Sequence, residues 1–412
     1  MPIVVQKYGG NALCSREGIL KVAQRIINTY NSGNDLVVAV SAPREETGRL
    51  VEISKEILSD ADGKIHDLII STADQLVAGK LSLALTSLGY KASPYLGWQI
   101  PMRTDSTTSR TVIQSIDPTK IRADINHGSI VIVAGQQGID AKGNITTLGR
   151  DDEDTAAVAL AAALQADDCE IYTDVDGIYT ADPAVCAEAL KMERLTYDEM
   201  LELSRAGTLA VQTCAVEYAM KHNVELHIRS AFTEEPGTLV TKEENDMDAS
   251  VVTGIAYDKS EAKIAVIGIP DKPGVAAKIL TALAKDDISV DMIVQNVSQA
   301  GLADLTFSVK KQELSRAHAI TREIADELQA KNVVADERIC KVSIVGIGMR
   351  SHAGVAARMF TALAYNNINI QMISTSDIKI SVAIEEKYTE LAVRILHETF
   401  IQDSPSKSIY AN

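Results

Sequence analysis

Short apolar runs alternate with segments of helical spacing through the first 240 or so residues. Ile3–Val5 reads as a strand, followed by the pair Gly9-Gly10 and a helix from about Ser15 to Tyr30. Asp35–Val40 is the next strand, and Ser129–Gly135 and Asp168–Thr173 are two more, each apolar and bounded by turn residues. Leu68–Gly89 and Asp154–Leu164 carry their apolar residues at helical spacing. Leu36-Val37-Val38-Ala39-Val40 is apolar at every position instead of alternating. That is the pattern of a mostly parallel strand covered on both faces, so an α/β unit is expected.

The remainder of the chain repeats itself. Gly274-Val-Ala-Ala-Lys-Ile-Leu-Thr-Ala-Leu-Ala returns as Gly354-Val-Ala-Ala-Arg-Met-Phe-Thr-Ala-Leu-Ala, 80 positions later. The same offset relates Ile264 to Ile344, Gly268 to Gly348, Ile288 to Ile368 and Met292 to Met372. Each copy reads strand, glycine-containing turn, helix, strand, and then a second half. Two small α/β units of one fold follow, and they pack together because each sheet needs a covered face. The charged stretch Lys242–Asp248 reads as the linker before them. The expected domains are 1–241, a linker with a lead-in strand at 242–260, and repeats at 261–340 and 341–412.

Composition narrows the class. Of the residues, 46% are hydrophobic and 23% charged, which suits buried cores and argues against disorder. The formal net charge of −16 argues against a nucleic-acid binder. No basic leader precedes an apolar run, and no stretch approaches the ~20 apolar residues that span a bilayer. Five scattered cysteines without paired spacing read as buried thiols in a reducing compartment, so the cytoplasm is expected and a zinc or disulfide framework is not.

Three loops could carry chemistry. Lys7-Tyr8-Gly9-Gly10 lies where the first strand meets a helix. Glycines there let backbone N–H groups approach an anion, and a lysine can neutralise a transferring phosphoryl group. A plain tight turn is the more frequent reason for such a glycine pair, and the pattern is not a Walker loop. Thr147-Leu-Gly-Arg150-Asp151-Asp152-Glu153-Asp154-Thr155 precedes the Ala-rich helix. Arg150 could grip a carboxylate, while Asp154 fits a helix N-cap and acidic residues suit the helix's positive end. Tyr172-Thr173-Asp174-Val-Asp176-Gly-Ile-Tyr179 follows a strand, and strand carboxyl ends in open α/β sheets are where ligands bind. A polar loop leading into the Asp182-Pro183 turn reads as well. Its acids do not match a calcium loop.

Taken together, these segments resemble the aspartokinases over Pro2 to about Phe400. The motifs are Lys7-Tyr-Gly-Gly10, Leu96-Gly-Trp-Gln99, Thr147-Leu-Gly-Arg150 with Asp154-Thr155, and Ile171-Tyr-Thr-Asp-Val-Asp-Gly177. Pro270-Asp-Lys-Pro-Gly-Val275, Val290-Asp-Met-Ile-Val-Gln-Asn296 and Met372-Ile-Ser-Thr-Ser-Asp-Ile378 identify the repeats as ACT domains. The resemblance implies a three-layer amino-acid kinase sheet domain followed by two ferredoxin-like ACT domains. It implies phosphorylation of the aspartate side-chain carboxylate by ATP with Mg²⁺, under feedback from lysine or threonine. Lys7 and Asp154 would be catalytic, and Ser41, Thr47, Asp74 and Arg150 would hold aspartate. Gly9, Gly10, Thr173, Asp174 and Tyr179 would contact nucleotide with Lys7, and no metal site is built from protein side chains alone. Asp271, Gln295, Asn296, Thr375 and Asp377 would meet the effector, in a homodimer or larger assembly formed through the ACT domains.

The loops depart from the family at the chemistry. Asn11-Ala12 follows the glycines where Thr/Ser-Ser is usual, and Asp151-Asp152-Glu153-Asp154 stands where the family has Gly-Gly-Ser-Asp. Ser71-Thr-Ala-Asp74 is one methylene shorter at its acid, and Leu209-Ala-Val-Gln-Thr213 lacks a lysine expected near the phosphates. At ~6 Å and an effective dielectric of ~20, each added carboxylate costs about 3 kcal/mol against a phosphate charge when unscreened. Beside the kinase reading stand two others: a non-catalytic, effector-binding regulatory member, and a kinase for a different carboxylate.

Overall fold

The computed structural model describes residues 1–58, 63–105, 111–148, 153–208, 210–242, 251–297 and 301–402. They divide into two compact units, one of residues 1–178, 191–204 and 210–242, the other of residues 179–190, 205–208 and 251–402. The expected linker Lys242–Asp248 lies, beyond its first residue, outside the described residues.

The main sheet of the first unit has eight strands: β1 (Ile3–Tyr8), β2 (Asp35–Val40), β3 (Ala92–Tyr95), β4 (Ile130–Ala134), β5 (Asp168–Thr173), β6 (Arg194–Thr196), β7 (Leu226–Ser230) and β8 (Thr238–Thr241). Their order is β6-β8-β7-β5-β1-β2-β4-β3, and β8 pairs antiparallel with β7 while β1, β2, β4, β5 and β7 run parallel. The register sets Lys7 between Ala39 and Ile171. Helix α1 (Arg16–Asn31) begins at Ser15, whose Oγ accepts the Gly18 N–H at 3.1 Å, a side-chain cap for one of the orphan donors of the first turn. Helices α2 (Arg44–Ile57) and α3 (Gly63–Ser87) follow β2.

Alternation along β1 divides the core. Val4 and Tyr8 join Leu36, Val38, Ile26, Val77 and Leu81 on the face covered by α1 and α3. Lys7 points the other way, and the Ala-rich helix α4 (Glu153–Leu164) packs on β1. Eight consecutive α4 positions, Asp154 to Ala161, are buried. Contrary to the sequence reading, α3 is long and apolar enough to cross a membrane by length and composition. Its Ile70, Ala73, Val77, Leu81 and Leu85 are buried, and it packs on β3 and β4, so it serves this unit as a core helix. The thiols also differ from expectation: Cys169, Cys186 and Cys340 are buried, but Cys14 is exposed and Cys214 intermediate.

The second unit holds β9 (Gly254–Asp258), β10 (Glu261–Pro270), α5 (Val275–Lys285), β11 (Val290–Val297), β12 (Leu302–Lys310), α6 (Leu314–Glu327), β13 (Asn332–Asp336), β14 (Ile339–Val345), α7 (Val355–Tyr365), β15 (Met372–Thr375), β16 (Lys379–Glu385) and α8 (Thr389–His397). Two four-stranded antiparallel sheets result, ordered β11-β12-β10-β13 and β9-β14-β16-β15. The first repeat supplies all of its own strands. The second takes its edge strand, β9, from chain preceding the first repeat. The 80-residue period is explained at Gly274 and Gly354, which both cap their helices at φ +92°, a left-handed conformation that favours glycine.

Residues 179–190, expected in the first domain, are built into this unit. Ala181, Val185 and Cys186 are buried among Val342, Ile344, Val393 and Leu396. The Thr180 carbonyl accepts the Ile255 N–H at 2.7 Å, and Tyr257 donates to Asp182 Oδ2 at 2.8 Å.

Lys341 of β14 is buried and reaches Asp291 Oδ2 of β11 at 2.6 Å, with Glu261 of β10 at 3.9 Å. One cation therefore ties the second repeat to two strands of the first. Lys341→Met unpairs the half-exposed Asp291 and leaves the buried Glu261 with Lys310 at 3.0 Å, so about 1 kcal/mol is lost. The expected result is a lower denaturant midpoint for the unit that contains the repeats; an unchanged midpoint would show that the tie is dispensable.

Candidate active site

At the carboxyl end of β1, Lys7 Nζ lies 2.9 Å from Asp154 Oδ1 and 3.3 Å from Glu153 Oε2. Both acids come from the first turn of α4. Asp154 thus lies within the helix and is not its N-cap, and its Oδ2 also accepts the Gln212 N–H at 3.3 Å. Ser41, buried just past β2, donates to Glu153 Oε2 at 2.6 Å. Burial pulls the Lys7 pKa down, but the Asp154 and Glu153 charges outweigh it and leave the ammonium above its ordinary value.

Asp74 arrives from the buried face of α3. Its Oδ1 accepts the Ala42 N–H at 2.7 Å and its Oδ2 the Gln136 N–H at 2.9 Å. One carboxylate thereby fixes the backbone just beyond β2 and β4. Burial pushes its pKa up to about 7, Glu153 adds to this, and the two N–H bonds and Lys7 act in the opposite direction.

The two glycines have separate reasons. A Cβ on Gly10 would lie 2.4 Å from Pro43 Cα and 2.7 Å from the Ala42 carbonyl oxygen, so close packing of two loops demands glycine there. A Cβ on Gly9 would lie 3.2 Å from Lys7 Nζ. Gly9 therefore leaves one flank of the ammonium free of side-chain carbon, and Glu153 Oε2 lies beside it. Asp174, exposed after β5, accepts a hydrogen bond from Asn11 Nδ2. Beneath these loops the Tyr8 and Tyr172 rings stack at 4.5 Å, holding β1 and β5 together at the base of the site.

Of the residues singled out in the sequence, Lys7, Ser41 and Asp154 join one network, which Glu153 completes. Thr47, half-buried in the first turn of α2, is not hydrogen-bonded into it among the described residues. Arg150, Asp151 and Asp152 lie outside the described residues. Tyr179 belongs to the other compact unit, apart from Thr173 and Asp174. Sequence reasoning missed the pairing role of Glu153 and the backbone N–H groups of Ala42, Gln136 and Gln212. The only signal for Glu153 was its place next to Asp154 on a helix facing a lysine-bearing strand.

The effector candidates Asp271, Gln295, Asn296, Thr375 and Asp377 are all exposed. Asn296 pairs with Asp304 while Pro270 pairs with Leu302, so Asp271 and Asn296 flank the same end of β12. Thr375 pairs with Ile380 at the turn that contains Asp377.

Away from the network, Asp168, Glu170 and His227 come close enough to surround a metal ion. Glu170 is already engaged there, by Arg229 Nη1 at 2.8 Å and Gln6 Nε2 at 2.7 Å, and the guanidinium opposes a second cation.

A lysine-anchored network at the carboxyl ends of a parallel sheet, followed by paired ferredoxin-like repeats, defines an amino acid kinase joined to ACT domains. The amino acid kinase family model matches residues 2–230, and ACT domain models match residues 263–329 and 342–400. The aspartate kinase of Pseudomonas fluorescens is 50% identical over 410 residues, 99% of each chain. The aspartokinase of Corynebacterium glutamicum is 43% identical over 405 residues, 97% of this chain and 96% of that one. The crystal structure of aspartate kinase from Synechocystis is 37% identical, with a TM-score of 0.55 over 97% of this chain and 69% of that one. E. coli aspartokinase III, crystallised with aspartate and ADP, shares the fold with a TM-score of 0.79 at 20% identity, over 96% of this chain and 99% of that one. The chain belongs to the aspartate kinase family.

Proposed function

We propose that the protein transfers the terminal phosphoryl group of ATP to the side-chain carboxylate of L-aspartate, giving 4-phospho-L-aspartate and ADP. The observation that carries this reading is the buried Lys7 ammonium, held by Asp154 beside the open flank of Gly9. An aspartate carboxylate is already a nucleophile, so no strong base is needed, and positioning with charge neutralisation supplies the catalysis. Lys7 stabilises the phosphoryl group in flight, and Asp154 orients Lys7. Ser41, Thr47 and Arg150 take the aspartate, while Asp74 shapes that pocket through the backbone it holds. Gly9, Gly10, Thr173 and Asp174 meet the nucleotide. The carboxylates around Lys7 make a bare triphosphate costly, so ATP enters with Mg²⁺, which supplies the compensating charge.

The ACT pair takes lysine or threonine as a feedback effector, and pairing between chains gives a homodimer at least. The setting is the cytoplasm, in keeping with five free cysteines. Purified full-length protein given MgATP and a panel of amino acids and other carboxylates tests the activity, with ADP release as the readout. Turnover confined to aspartate is the expected result; turnover only with another acid would reassign the substrate. For regulation, Asp271→Ala is expected to weaken calorimetric binding of lysine or threonine at least about tenfold with unfolding unchanged. Equal affinity in the variant would remove Asp271 from the effector site.

A further inference from the structure

We propose that Glu153 is a built-in competitor of the acidic substrates, a carboxylate of the protein's own that occupies the anion-binding groups until a ligand displaces it. The inference rests on the kinase reading and concerns regulation of entry to the same site. Glu153 Oε2 accepts from Ser41 Oγ at 2.6 Å and lies 3.3 Å from Lys7 Nζ. A Cβ on Gly9 would lie 3.9 Å from that same oxygen, so it sits on the flank that glycine leaves open. One oxygen therefore satisfies both the hydroxyl and the ammonium that an incoming carboxylate or phosphoryl oxygen would use.

Asp154 already balances the Lys7 charge at 2.9 Å, so the second carboxylate is not needed to keep the lysine paired. The two acids also differ in how firmly they are held. Asp154 is further fixed by the Gln212 N–H, whereas Glu153 contacts the network through a single oxygen at the end of a longer side chain. It can swing away without breaking the helix that carries it. Until it does, a ligand anion meets an occupied hydroxyl and a lysine with a negative neighbour on each side. The device weakens apparent affinity: only the fraction of molecules with Glu153 displaced can take an acidic ligand, and the measured dissociation constant rises by the inverse of that fraction.

The test compares full-length wild type with Glu153→Gln and Glu153→Ser, and with Glu17→Gln as a control. Glu17 is an exposed acid of α1 paired with Lys21, so its loss changes net charge by the same amount away from the site. MgADP and aspartate are titrated separately by calorimetry, followed by steady-state kinetics. The expected result is at least a tenfold tighter dissociation constant for one or both ligands in both Glu153 variants, a lower KM, and wild-type values for Glu17→Gln. Tightening of aspartate alone would place Glu153 in the acceptor's position, and tightening of MgADP alone in the phosphate's. Affinities within twofold of wild type, or weakened, in both variants overturn the competitor role while leaving aspartate turnover by the wild type to support the kinase reading. No turnover and no nucleotide binding by any form overturns both.

Discussion

Lys7→Met is expected to lower kcat for aspartate phosphorylation on the order of 10³-fold, because it removes the one buried cation found in the site network. The same change strips Asp154 and Glu153 of their shared counter-ion. An uncompensated charge in such a place costs about 3 kcal/mol, so the variant should also unfold earlier. The two effects separate in Lys7→Arg. A guanidinium restores the charge and much of the stability, but its planar fork cannot put a single point charge where the Lys7 ammonium lies. Stability restored with kcat still low is the expected pattern. A Lys7→Met enzyme within tenfold of wild-type kcat would rule out Lys7 as the phosphoryl-stabilising group.

Asp74 carries the second large effect. Asp74→Ala orphans the Ala42 and Gln136 N–H groups together, at about 1–3 kcal/mol each, so a loss of roughly 2–6 kcal/mol in unfolding free energy is expected. Asp74→Asn removes the titration, and because its one carbonyl oxygen can accept only one of the two N–H groups it adds a loss that does not vary with pH. The folded carboxyl titrates at about 7, above the ordinary value of 3.8, so the folded chain keeps a proton that the unfolded chain releases. The sign follows: below about pH 4 both states are protonated and the group is neutral in effect. As pH rises from about 4 to 7, stability is lost. The difference in stability between wild type and Asp74→Asn should therefore shift steadily against wild type across that window and level off above it. A difference that stays flat from pH 4 to 7 would show that Asp74 is ionised in the folded protein throughout.

Much of this architecture was legible because its causes are local. Runs bounded by turn residues gave β2 and β5 at their observed bounds, and Ser15 marked the start of α1 through a bond to Gly18 only three residues away. The repeated glycine at 274 and 354 followed from a backbone angle that its own residue must adopt. The loops bearing Lys7, Ser41, Asp154 and Asp174 were picked out by motif. What stayed hidden depends on contacts between distant positions. Asp74 reaches Gln136 across 62 residues and Glu153 reaches Ser41 across 112, and nothing in the flanking sequence of either announces the partner. Asp154 was misread as a cap because it lies within the helix, where its side chain meets the lysine. Residues 179–190 were assigned to the first domain by continuity, whereas their apolar side chains are buried with the second repeat.

The edge strand β9 has a consequence for the order in which the protein can be made. It leaves the ribosome ahead of the whole first repeat, but its partner β14 follows about eighty residues later. At about 5–20 residues per second, that strand waits on the order of ten seconds with its ladder bonds unmade. Throughout that interval the first repeat can close on itself and the second cannot. The two sequence copies are near twins in composition, yet one is a self-sufficient insert and the other a host that folds only around it.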